Sequence, residues 1–542
     1  MDNDDLLLIN QILQATSWIK VTKEVARLES GVGVAEFHIP TSKETLIVNV
    51  LISPDFPLQG LMFVCTNISG YNHQMHNGNL CLVAAPAATI ADRLTLELEK
   101  LQRWVEKYYI NEESDEHYEY LTFNNPQPIP FIFDEDRFKS PIVRDYGSFT
   151  YGILQEYQNN GTTSASYIVR NLGNRESRWS ESFKKNAIKG TYAGLWVKLN
   201  QPPVISRRQT IEEWVDLLNL FNASQMTALY EASLNFKKIS AFSDGFILAV
   251  GYDVPINNDT EVHWETIYVK YESFPVEVIN QKFHLRLGAE KTIQWCQTSN
   301  ASYERMFGRG KLGKQLTDKK ILIIGVGAIG SCFFKALIRG GCRNITISDG
   351  DLVEPGNVCR AALDFTNCYA SKVFHLYKQG IEISPFTEIE MLNNIEPVRK
   401  EHKLYQELKA KLSNYDFIFD CSTDKYLSIM LDEMGIPGQI INLSITDEAK
   451  DLAVVTGYGN IHLIKNALFN RISTGKTEQF FVGTGCWSPT FRASFVDINT
   501  LLMLALAEMN NRFKKDIPIN SFFVKKSQVE SHPATYSIDY NV

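Results

Sequence analysis

The sequence predicts a multidomain α/β protein, and three observations support this. The C-terminal third opens with a strand, a glycine turn and a helix, the start of a doubly wound parallel sheet. The first 130 residues alternate between helical and strand patterns, typical of an α+β domain, and the region between is a mixed, β-rich linker. A length of 542 residues suits three to four domains. We expect domains at residues 1–130, 131–300 and 301–542.

The C-terminal glycine turn lies in the segment ILIIGVGAIG, where Gly325, Gly327 and Gly330 have the spacing G-x-G-x-x-G. Gly325 permits the turn, Gly327 lets backbone N–H groups approach a phosphate, and Gly330 lets the helix pack on the strand. Asp349 ends the next apolar run, ITISD, and is placed to accept hydrogen bonds from a ribose. This pattern alone fits a dehydrogenase, a methyltransferase or an enzyme that uses ATP.

The residues after Asp349 favour ATP. The following loop carries Asp351, Asn357, Arg360 and Lys372, and the segment YDFIFDCSTDK predicts a third buried strand that ends at Asp424. Lys372 and Arg360 would neutralise charge on an attacked α-phosphate, and Asp424 would hold Mg²⁺. Binding of a nicotinamide cofactor needs no such cluster.

The same residues resemble the activating-enzyme superfamily that includes ThiF, MoeB and the ubiquitin-activating enzymes. There, an Asp ends the second strand and the Arg of an Asn-x-x-Arg motif follows eleven residues later, as Asp349, Asn357 and Arg360 do. A Lys follows, like Lys372, and a second Asp closes a later strand, as in the segment 420–424. The resemblance implies a Rossmann-like, ThiF-type adenylation domain that uses ATP and Mg²⁺ to adenylate a C-terminal carboxylate.

Some positions depart from the superfamily pattern. Arg360 is followed by Ala361 where relatives have Gln, and the chain has no C-x-x-C pair, so we expect no zinc site and no metal other than Mg²⁺. Relatives often contribute an Arg from a helix before the glycine strand to the ATP of a second subunit. The resemblance therefore implies a homodimer. Arg305 is the first candidate and Arg309 the second, although a solvated helix face explains both equally well.

The N-terminal region carries a second chemical signature. A helix begins near Asp4 and Asp5, and three strand-like segments, VGVAEFHI, TLIVNVLI and GLMFVCT, follow. After the loop YNHQMHNGNLCLVAAP, apolar residues recur at helical spacing from Ile90 to Tyr108. This order, with the segments 78–82 (GNLCL) and FPLQGLMFV, resembles the ubiquitin-conjugating enzyme fold.

That resemblance implies Cys81 as a nucleophile, because a thioester remains reactive and transfers readily to a thiol or an amine. The alternative is that Cys81 is a buried, small apolar residue. The family's His-Pro-Asn triplet is missing, and His73 stands eight residues before Cys81, where Asn is usual. His73 or His76 is the candidate to stabilise the oxyanion or activate the amine.

A thiol must also receive the acyl group from the adenylate. Cys332 and Cys342 flank the Rossmann helix and are expected in the core, and Cys421 follows a buried strand. Cys486 lies in the Gly- and Pro-containing loop FVGTGCWSPTF, as in autophagy-type activating enzymes, and is our choice. The alternative is that Cys486 is a loop cysteine with no role in catalysis. Two further candidates, Cys359 and Cys368, lie in the nucleotide loop and remain open.

Composition limits the partners. The formal net charge is −8 and no Lys/Arg-rich run occurs, so nucleic acid is not an expected partner. The most apolar stretch, LLMLALA, is shorter than the roughly 20 residues that span a bilayer, and acidic residues follow Met1, so we expect neither a membrane partner nor a signal peptide. Nine cysteines, an odd number, fit a reducing cytoplasm.

The middle region begins at the Pro-rich segment NPQPIPFIF. It contains four strand-like segments, SASYIVRNL, GTYAGLWVKL, FILAVGYDV and ETIYVKYES, and one helix-like segment, TIEEWVDLLNLF. It is either a linker that places Cys81 near Cys486 or a recognition domain for the activated protein.

A conjugating-like domain placed before an activating-like domain resembles the CD-NTase-associated protein 2 family of bacterial antiphage (CBASS) operons. The resemblance implies that a cGAS-like CD-NTase is adenylated at its C-terminus, carried on Cys486 and then Cys81, and joined to a target amine. A bacterial ubiquitin-like protein is the close alternative substrate. Two alternatives come from other classes: a catalytically degenerate nucleotide-binding scaffold, and a nicotinamide-dependent oxidoreductase that only the glycines support.

Overall fold

The computed structural model describes residues 2–113, 121–140, 144–159, 162–179, 188–206, 208–256, 259–286, 291–422, 424–446, 449–457, 459–472, 480–481, 490–491, 493–527 and 533–540. The chain forms two compact units. The first comprises Met1–Ser177 and Asn186–Asn300, and the second comprises Arg178–Lys185 and Ala301–Val542. The N-terminal and middle regions therefore lie in one unit.

The N-terminal part of the first unit packs two helices on an antiparallel sheet. Helix α1 spans Asn3–Ala15, and α2 spans Ile90–Trp104 and continues as a π-helical turn at Val105–Ile110. The four strands pair in chain order: β1 Lys20–Arg27, β2 Gly33–Ile39, β3 Leu46–Ile52 and β4 Leu61–Cys65. Buried and half-buried residues alternate along β2 and β3, so one face of the sheet meets the helices. Strand β1 was not predicted because only Val25 in it is buried.

The rest of the first unit is built around a large sheet. Its segments are β5 Gln127–Asp134, β6 Tyr146–Asn159, β7 Thr162–Leu172, β8 Arg175–Glu176, β9 Lys189–Lys198, β10 Val204–Ser206, β11 Gln209–Thr210, β12 Gly245–Ile256, β13 Asp259–Lys270, β14 Val276–Ile279, β15 Lys282–Leu285 and β16 Gln294–Ala301. Eight of them follow the order β5-β16-β13-β12-β9-β6-β7-β8, and β5 also pairs with β7, so the sheet closes on itself. The other four form the hairpins β10–β11 and β14–β15.

Among the described residues, three α-helices accompany this sheet: α3 Glu135–Phe138, α4 Trp214–Leu218 and α5 Ala223–Asn235. The four strands predicted for the middle region are all present. The predicted helix TIEEWVDLLNLF is reduced to five residues, whereas α5, which begins with a capping box between Asn222 and Gln225, was not predicted.

The second unit contains a doubly wound sheet, as predicted. Its strands are β17 Lys320–Ile324, β18 Asn344–Ser348, β19 Glu388–Leu392, β20 Phe417–Asp420, β21 Gln439–Ile445, β22 Asp451–Gly457, the two short strands β23 Phe480–Phe481 and β24 Thr490–Phe491, β25 Phe522–Ser527 and β26 Thr535–Asp539. The large sheet has the order β19-β18-β17-β20-β21-β22-β25-β26. Strands β17 to β21 in it are parallel, and β22, β25 and β26 continue it in antiparallel pairings.

Eight helices are described in the second unit: α6 Tyr303–Phe307, α7 Lys314–Thr317, α8 Ala328–Arg339, α9 Lys372–Ile383, α10 Lys403–Leu412, α11 Lys425–Met434, α12 Ile461–Ile472 and α13 Phe495–Lys514. One apolar core joins α8, α9 and α13 to the sheet, and a second joins α10, α11 and α12 to its other face. Both faces are thus covered, which explains why the central strands are apolar throughout.

The strand order creates a switch point beside β17. Ile324, the last residue of β17, pairs with Ser348 of β18 on one side and with Asp420 of β20 on the other. The chain leaves these neighbouring carboxyl ends in opposite directions, and the resulting crevice is where open α/β sheets bind ligands.

Candidate active site

The glycine turn follows β17 directly. Gly325 has φ +81°, and a Cβ atom there would lie 2.9 Å from the backbone nitrogen of Ser422. A Cβ atom on Gly330 would overlap the carbonyl oxygen of Gly325, so only glycine lets α8 approach the turn this closely. Around Gly327 the space is open within 4 Å, and this residue caps α8 without a side-chain hydrogen bond. The first turn of α8 therefore presents backbone N–H groups to an anion.

Asp349 links the glycine turn to the next loop. One carboxylate oxygen accepts a hydrogen bond from the backbone N–H of Val326 at 2.7 Å, and the other accepts one from Asp351 at 2.8 Å. Each carboxylate oxygen has two lone pairs, so Asp349 can also accept a hydroxyl donor.

The loop after Asp349 folds back on itself and brings Lys372 to Asp351. Val353 donates its N–H to Ala370 O at 2.8 Å, and Tyr369 donates to Val353 O at 2.7 Å. The Lys372 Nζ atom then lies 2.8 Å from Asp351 Oδ2; the Lys372 side chain is 9% exposed and that of Asp351 is 76% exposed. A buried cation is thus held at the mouth of the crevice by an exposed carboxylate.

Asn357 and Arg360 lie on a 3₁₀ turn in the same loop. Asn357 Oδ1 accepts the backbone N–H of Glu354 at 2.9 Å, and the backbone carbonyl of Asn357 accepts the N–H of Arg360 at 3.1 Å. The Arg360 side chain is half-buried, and Ala361, which follows it, is fully buried in the core. The turn therefore fixes the backbone of Arg360 while leaving its guanidinium accessible.

The third strand ends at Asp420, so our prediction that it ends at Asp424 is wrong. Asp420 is buried, and its carboxylate binds the backbone N–H and the hydroxyl of Ser422, the hydroxyl of Ser428 and the amide of Asn442, at 2.6–3.0 Å. The side chain thereby turns the backbone out of the sheet. Sequence reasoning assigned no role to Asp420, although it stands directly after the apolar run.

Asp424 instead caps α11. Its Oδ1 accepts the backbone N–H groups of Tyr426 at 2.8 Å and Leu427 at 3.2 Å. Both of these bonds use Oδ1, which leaves the lone pairs of Oδ2 for a metal ion. A single carboxylate is enough for Mg²⁺, because this ion keeps several waters and usually binds proteins through one or two carboxylates together with substrate phosphates.

Arg305 lies on the five-residue helix α6, where its backbone N–H donates to the Ser302 hydroxyl at 3.3 Å, and its side chain is half-buried. Arg309 follows the helix and is exposed. Their use by a second subunit stays a prediction.

Burial separates the described cysteines into two groups. Cys332 and Cys342 lie in the core, as predicted, and burial raises the pKa of Cys332 to about 11 and that of Cys342 further. Cys421 is partly exposed as a residue, but burial of its thiol raises its pKa well above the usual value. Among the described residues of the second unit, Cys359 is exposed and Cys368 is partly exposed. Cys486 lies outside the described residues.

In the first unit, Cys81 is exposed, so the alternative of a buried residue is excluded. Two residues fix its loop. Gln74 is buried and donates from its amide to Cys65 O at 2.9 Å and Ile68 O at 2.8 Å. Gly78 has φ +81°, and a Cβ atom there would lie 2.6 Å from Cys65 O. Gln74 was not singled out in the sequence, because its role depends on hydrogen bonds to the backbone of Cys65 and Ile68.

The two histidines of this loop have different surroundings. His76 Nδ1 lies 3.0 Å from Glu212 Oε1 and Nε2 lies 2.7 Å from Thr122 O, so both ring nitrogens have a partner. The backbone carbonyl of His73, in contrast, accepts the N–H of Cys81 at 2.7 Å. Of the two candidates, we therefore consider His73 further.

Two absences hold for the described part of the chain. No group of three or more His, Cys, Asp or Glu side chains there is arranged to bind a metal ion. No helix in the same ranges is long and apolar enough to cross a membrane.

Comparisons with known proteins match the part of the chain that forms this crevice. Residues 302–432, which run from before the glycine turn to beyond Asp424, match the ThiF family model. The chain is 22% identical over 519 residues to the ATP-dependent ubiquitin transferase-like protein Cap2 of Enterobacter hormaechei subsp. hoffmannii, covering 85% of this chain and 83% of the relative. It is 30% identical over 111 residues to tRNA threonylcarbamoyladenosine dehydratase 2 of Saccharomyces cerevisiae, covering 20% of this chain and 24% of that one.

Among solved structures, PaaA matches with a TM-score of 0.30 at 13% identity, over 42% of this chain and 66% of PaaA. E. coli MccB in its ATP complex matches with a TM-score of 0.28 at 14% identity, over 42% of this chain and 65% of MccB. The chain thus spans slightly less than two thirds of each of these two proteins. From the sequence matches, residues 302–432 form a ThiF-family domain, and most of the chain is similar to Cap2.

Proposed function

We propose that the protein is an ATP-dependent, ubiquitin-activating-like ligase that adenylates the C-terminus of a protein and transfers it to an amine. The ThiF-family match at residues 302–432 supports adenylation by the second unit. The similarity to Cap2, described as an ATP-dependent ubiquitin transferase-like protein, extends over 85% of the chain and so includes the first unit. The observation that carries the proposal is the convergence of the glycine turn, Asp349, Lys372 and Asp424 around the switch point of one sheet.

The chemistry follows from the charges in the crevice. A carboxylate attacks the α-phosphate of ATP and pyrophosphate leaves, so negative charge develops on the phosphate oxygens. Lys372 and Arg360 stabilise that charge, and the N–H groups at the start of α8 hold the phosphates. Asp349 orients the ribose. Asp424 would hold Mg²⁺, which neutralises the departing pyrophosphate when bound.

Transfer then proceeds through two thiols. The acyl group passes from AMP to Cys486 and from Cys486 to Cys81, and an amine attacks the second thioester to form an amide. The exposure of Cys81 supports its part in this sequence. The similarity to Cap2 supports a cGAS-like CD-NTase as the activated protein, an antiphage role, and a homodimer in which Arg305 reaches the partner's ATP.

Pyrophosphate exchange tests the first step. The full chain is incubated with labelled pyrophosphate, ATP, Mg²⁺ and a cGAS-like nucleotidyltransferase, and incorporation of label into ATP is measured. We expect exchange that requires the terminal residue of the nucleotidyltransferase, is lost in Lys372→Ala and persists in Cys486→Ala. If the protein binds ATP but catalyses no pyrophosphate exchange, either with this substrate or with a ubiquitin-like protein, it is a nucleotide-binding scaffold and not an enzyme of this kind.

A further inference from the structure

His73 and Cys81 occupy directly opposite positions on two short antiparallel segments. Gln74 and Leu80 form an antiparallel bridge, and the Cys81 N–H donates to His73 O at 2.7 Å. Residues paired by such a bond have Cα atoms about 5.5 Å apart, so the two side chains start from neighbouring backbone positions. Gln74 and Leu80 are buried, whereas Cys81 is exposed and His73 is half-buried, so both side chains of the second pair reach the surface.

Aromatic contact with the end of the second helix holds the imidazole at this face. The ring of His73 lies 4.8 Å from the ring of Tyr108, on the π-helical turn that follows α2. Lys107 supports that ring, because its Nζ lies 4.6 Å from the Tyr108 centroid and donates to the Tyr108 hydroxyl at 3.1 Å.

The backbone at this position is left-handed. His73 has φ +59°, a conformation that glycine adopts without steric cost and that few other residues, histidine among them, adopt. Glycine would complete the same turn, so the turn does not require an imidazole. The imidazole adds a group that can act as a base, next to the backbone of an exposed cysteine.

We propose that His73 is the general base for the attack of the acceptor amine on the thioester of Cys81; this rests on the proposed function, in which Cys81 carries the acyl group. The amine nitrogen forms a bond to the thioester carbonyl carbon, and His73 takes a proton from that nitrogen. The carbon–sulfur bond breaks, the sulfur leaves as a thiolate, and the imidazolium returns the proton to it. The products are an amide and the free thiol, and no further reactant is needed.

Chemical acylation of the full chain tests this step without the adenylation site. The protein is treated with the N-acetylglycine thioester of mercaptoethanesulfonate, and acylation of Cys81 is read from the mass of its peptide. Loss of the acyl group is then followed with lysine and, separately, with hydroxylamine, which is uncharged at neutral pH. His73→Gly is the test variant because glycine accepts the backbone conformation. The matched control is His38→Asn, on β2.

We expect acylation of Cys81 to be equal in all variants. His73→Gly should slow attack by lysine by roughly 10²-fold, as loss of a general base does, and leave attack by hydroxylamine unchanged. Added imidazole should restore part of the lysine rate, which a purely structural defect would not allow.

An equal loss with both nucleophiles, or a change of less than about threefold with lysine, would overturn the role of His73 as a base. A separate result concerns the proposed function itself. If acyl-Cys81 of the wild-type protein reacts with lysine no faster than free N-acetylcysteine thioester does, Cys81 is not a transfer site. The two failures can be distinguished because one compares variants and the other compares the wild type with a small thioester.

Discussion

Replacement of Asp420, at the end of β20, and of Asp424, at the start of α11, by asparagine should separate structure from catalysis. Asp420 accepts four hydrogen bonds, two on each carboxylate oxygen. In Asp420→Asn one oxygen becomes an NH₂ group, so one N–H donor loses its acceptor whichever way the amide is oriented. That donor is either the backbone N–H of Ser422 or the side-chain amide of Asn442, whereas the serine hydroxyl on the same side can rotate and accept from the NH₂ group. A buried donor without an acceptor costs about 1–3 kcal/mol, and we expect a loss of stability of this size.

Asp424→Asn should behave in the opposite way. Asparagine caps a helix about as well as aspartate, so the two bonds to Tyr426 and Leu427 persist and stability should change by less than about 0.5 kcal/mol. The variant lacks the negative charge that a Mg²⁺ ligand needs. Pyrophosphate exchange should therefore fall by roughly 10²-fold or more.

Hydrogen–deuterium exchange of the β20 and β21 amides measures the first effect, and pyrophosphate exchange measures the second. We expect Asp420→Asn to accelerate amide exchange in both strands and Asp424→Asn to leave it unchanged. A stable Asp420→Asn variant without pyrophosphate exchange would refute the reasoning, because Asp420 would then be the metal ligand. An active Asp424→Asn variant would refute the role of Asp424.

Three further predictions follow from burial and charge. Lys372→Ala should lower pyrophosphate exchange by at least roughly 10²-fold, because the variant lacks the buried ammonium; near-normal exchange would exclude Lys372 from the site. Burial lowers the pKa of His375 despite the nearby Asp364, so the unfolded chain binds a proton at this imidazole more readily than the folded chain does. The free energy of unfolding should therefore fall as the pH drops below about 6.5, the pKa of an unfolded histidine. The fall between about pH 7.5 and about pH 5.5 should be smaller in His375→Gln than in the wild type. Brief alkylation of the native protein should modify Cys81 and Cys359 and spare Cys65 and Cys296, whose pKa values burial raises to about 12; peptide masses showing equal labelling would contradict this.

The sequence was most informative where a feature depends on neighbouring residues. The spacing of Gly325, Gly327 and Gly330 predicted the turn, because positive φ and close packing are local requirements. The order of Asp349, Asn357, Arg360 and Lys372 predicted one loop beside that turn. The fold class is confirmed for the doubly wound unit by the ThiF-family match. The conjugating-like assignment of residues 1–130 stays a prediction.

The sequence was least informative where contacts are distant along the chain. The closure of the middle sheet depends on the pairing of β5 with β7 and β16, which no local pattern encodes. His73 and His76 could not be distinguished, because Thr122 and Glu212 occupy His76 from far along the chain. The strand end was misplaced because the partners of Asp420 include Asn442 on the next strand. The relay thiol Cys486 lies outside the described residues, so its role stays a proposal.

The location of the thioesters tests the central claim most directly. The wild type, Cys81→Ala and Cys486→Ala are incubated with ATP, Mg²⁺ and a cGAS-like nucleotidyltransferase, and covalent complexes are mapped by peptide mass under non-reducing conditions. In Cys81→Ala, we expect the C-terminus of the nucleotidyltransferase to be attached to Cys486. In Cys486→Ala, we expect it to be attached to no thiol. Attachment to an amine is expected in the wild type alone. Normal amide formation by Cys81→Ala would contradict the account.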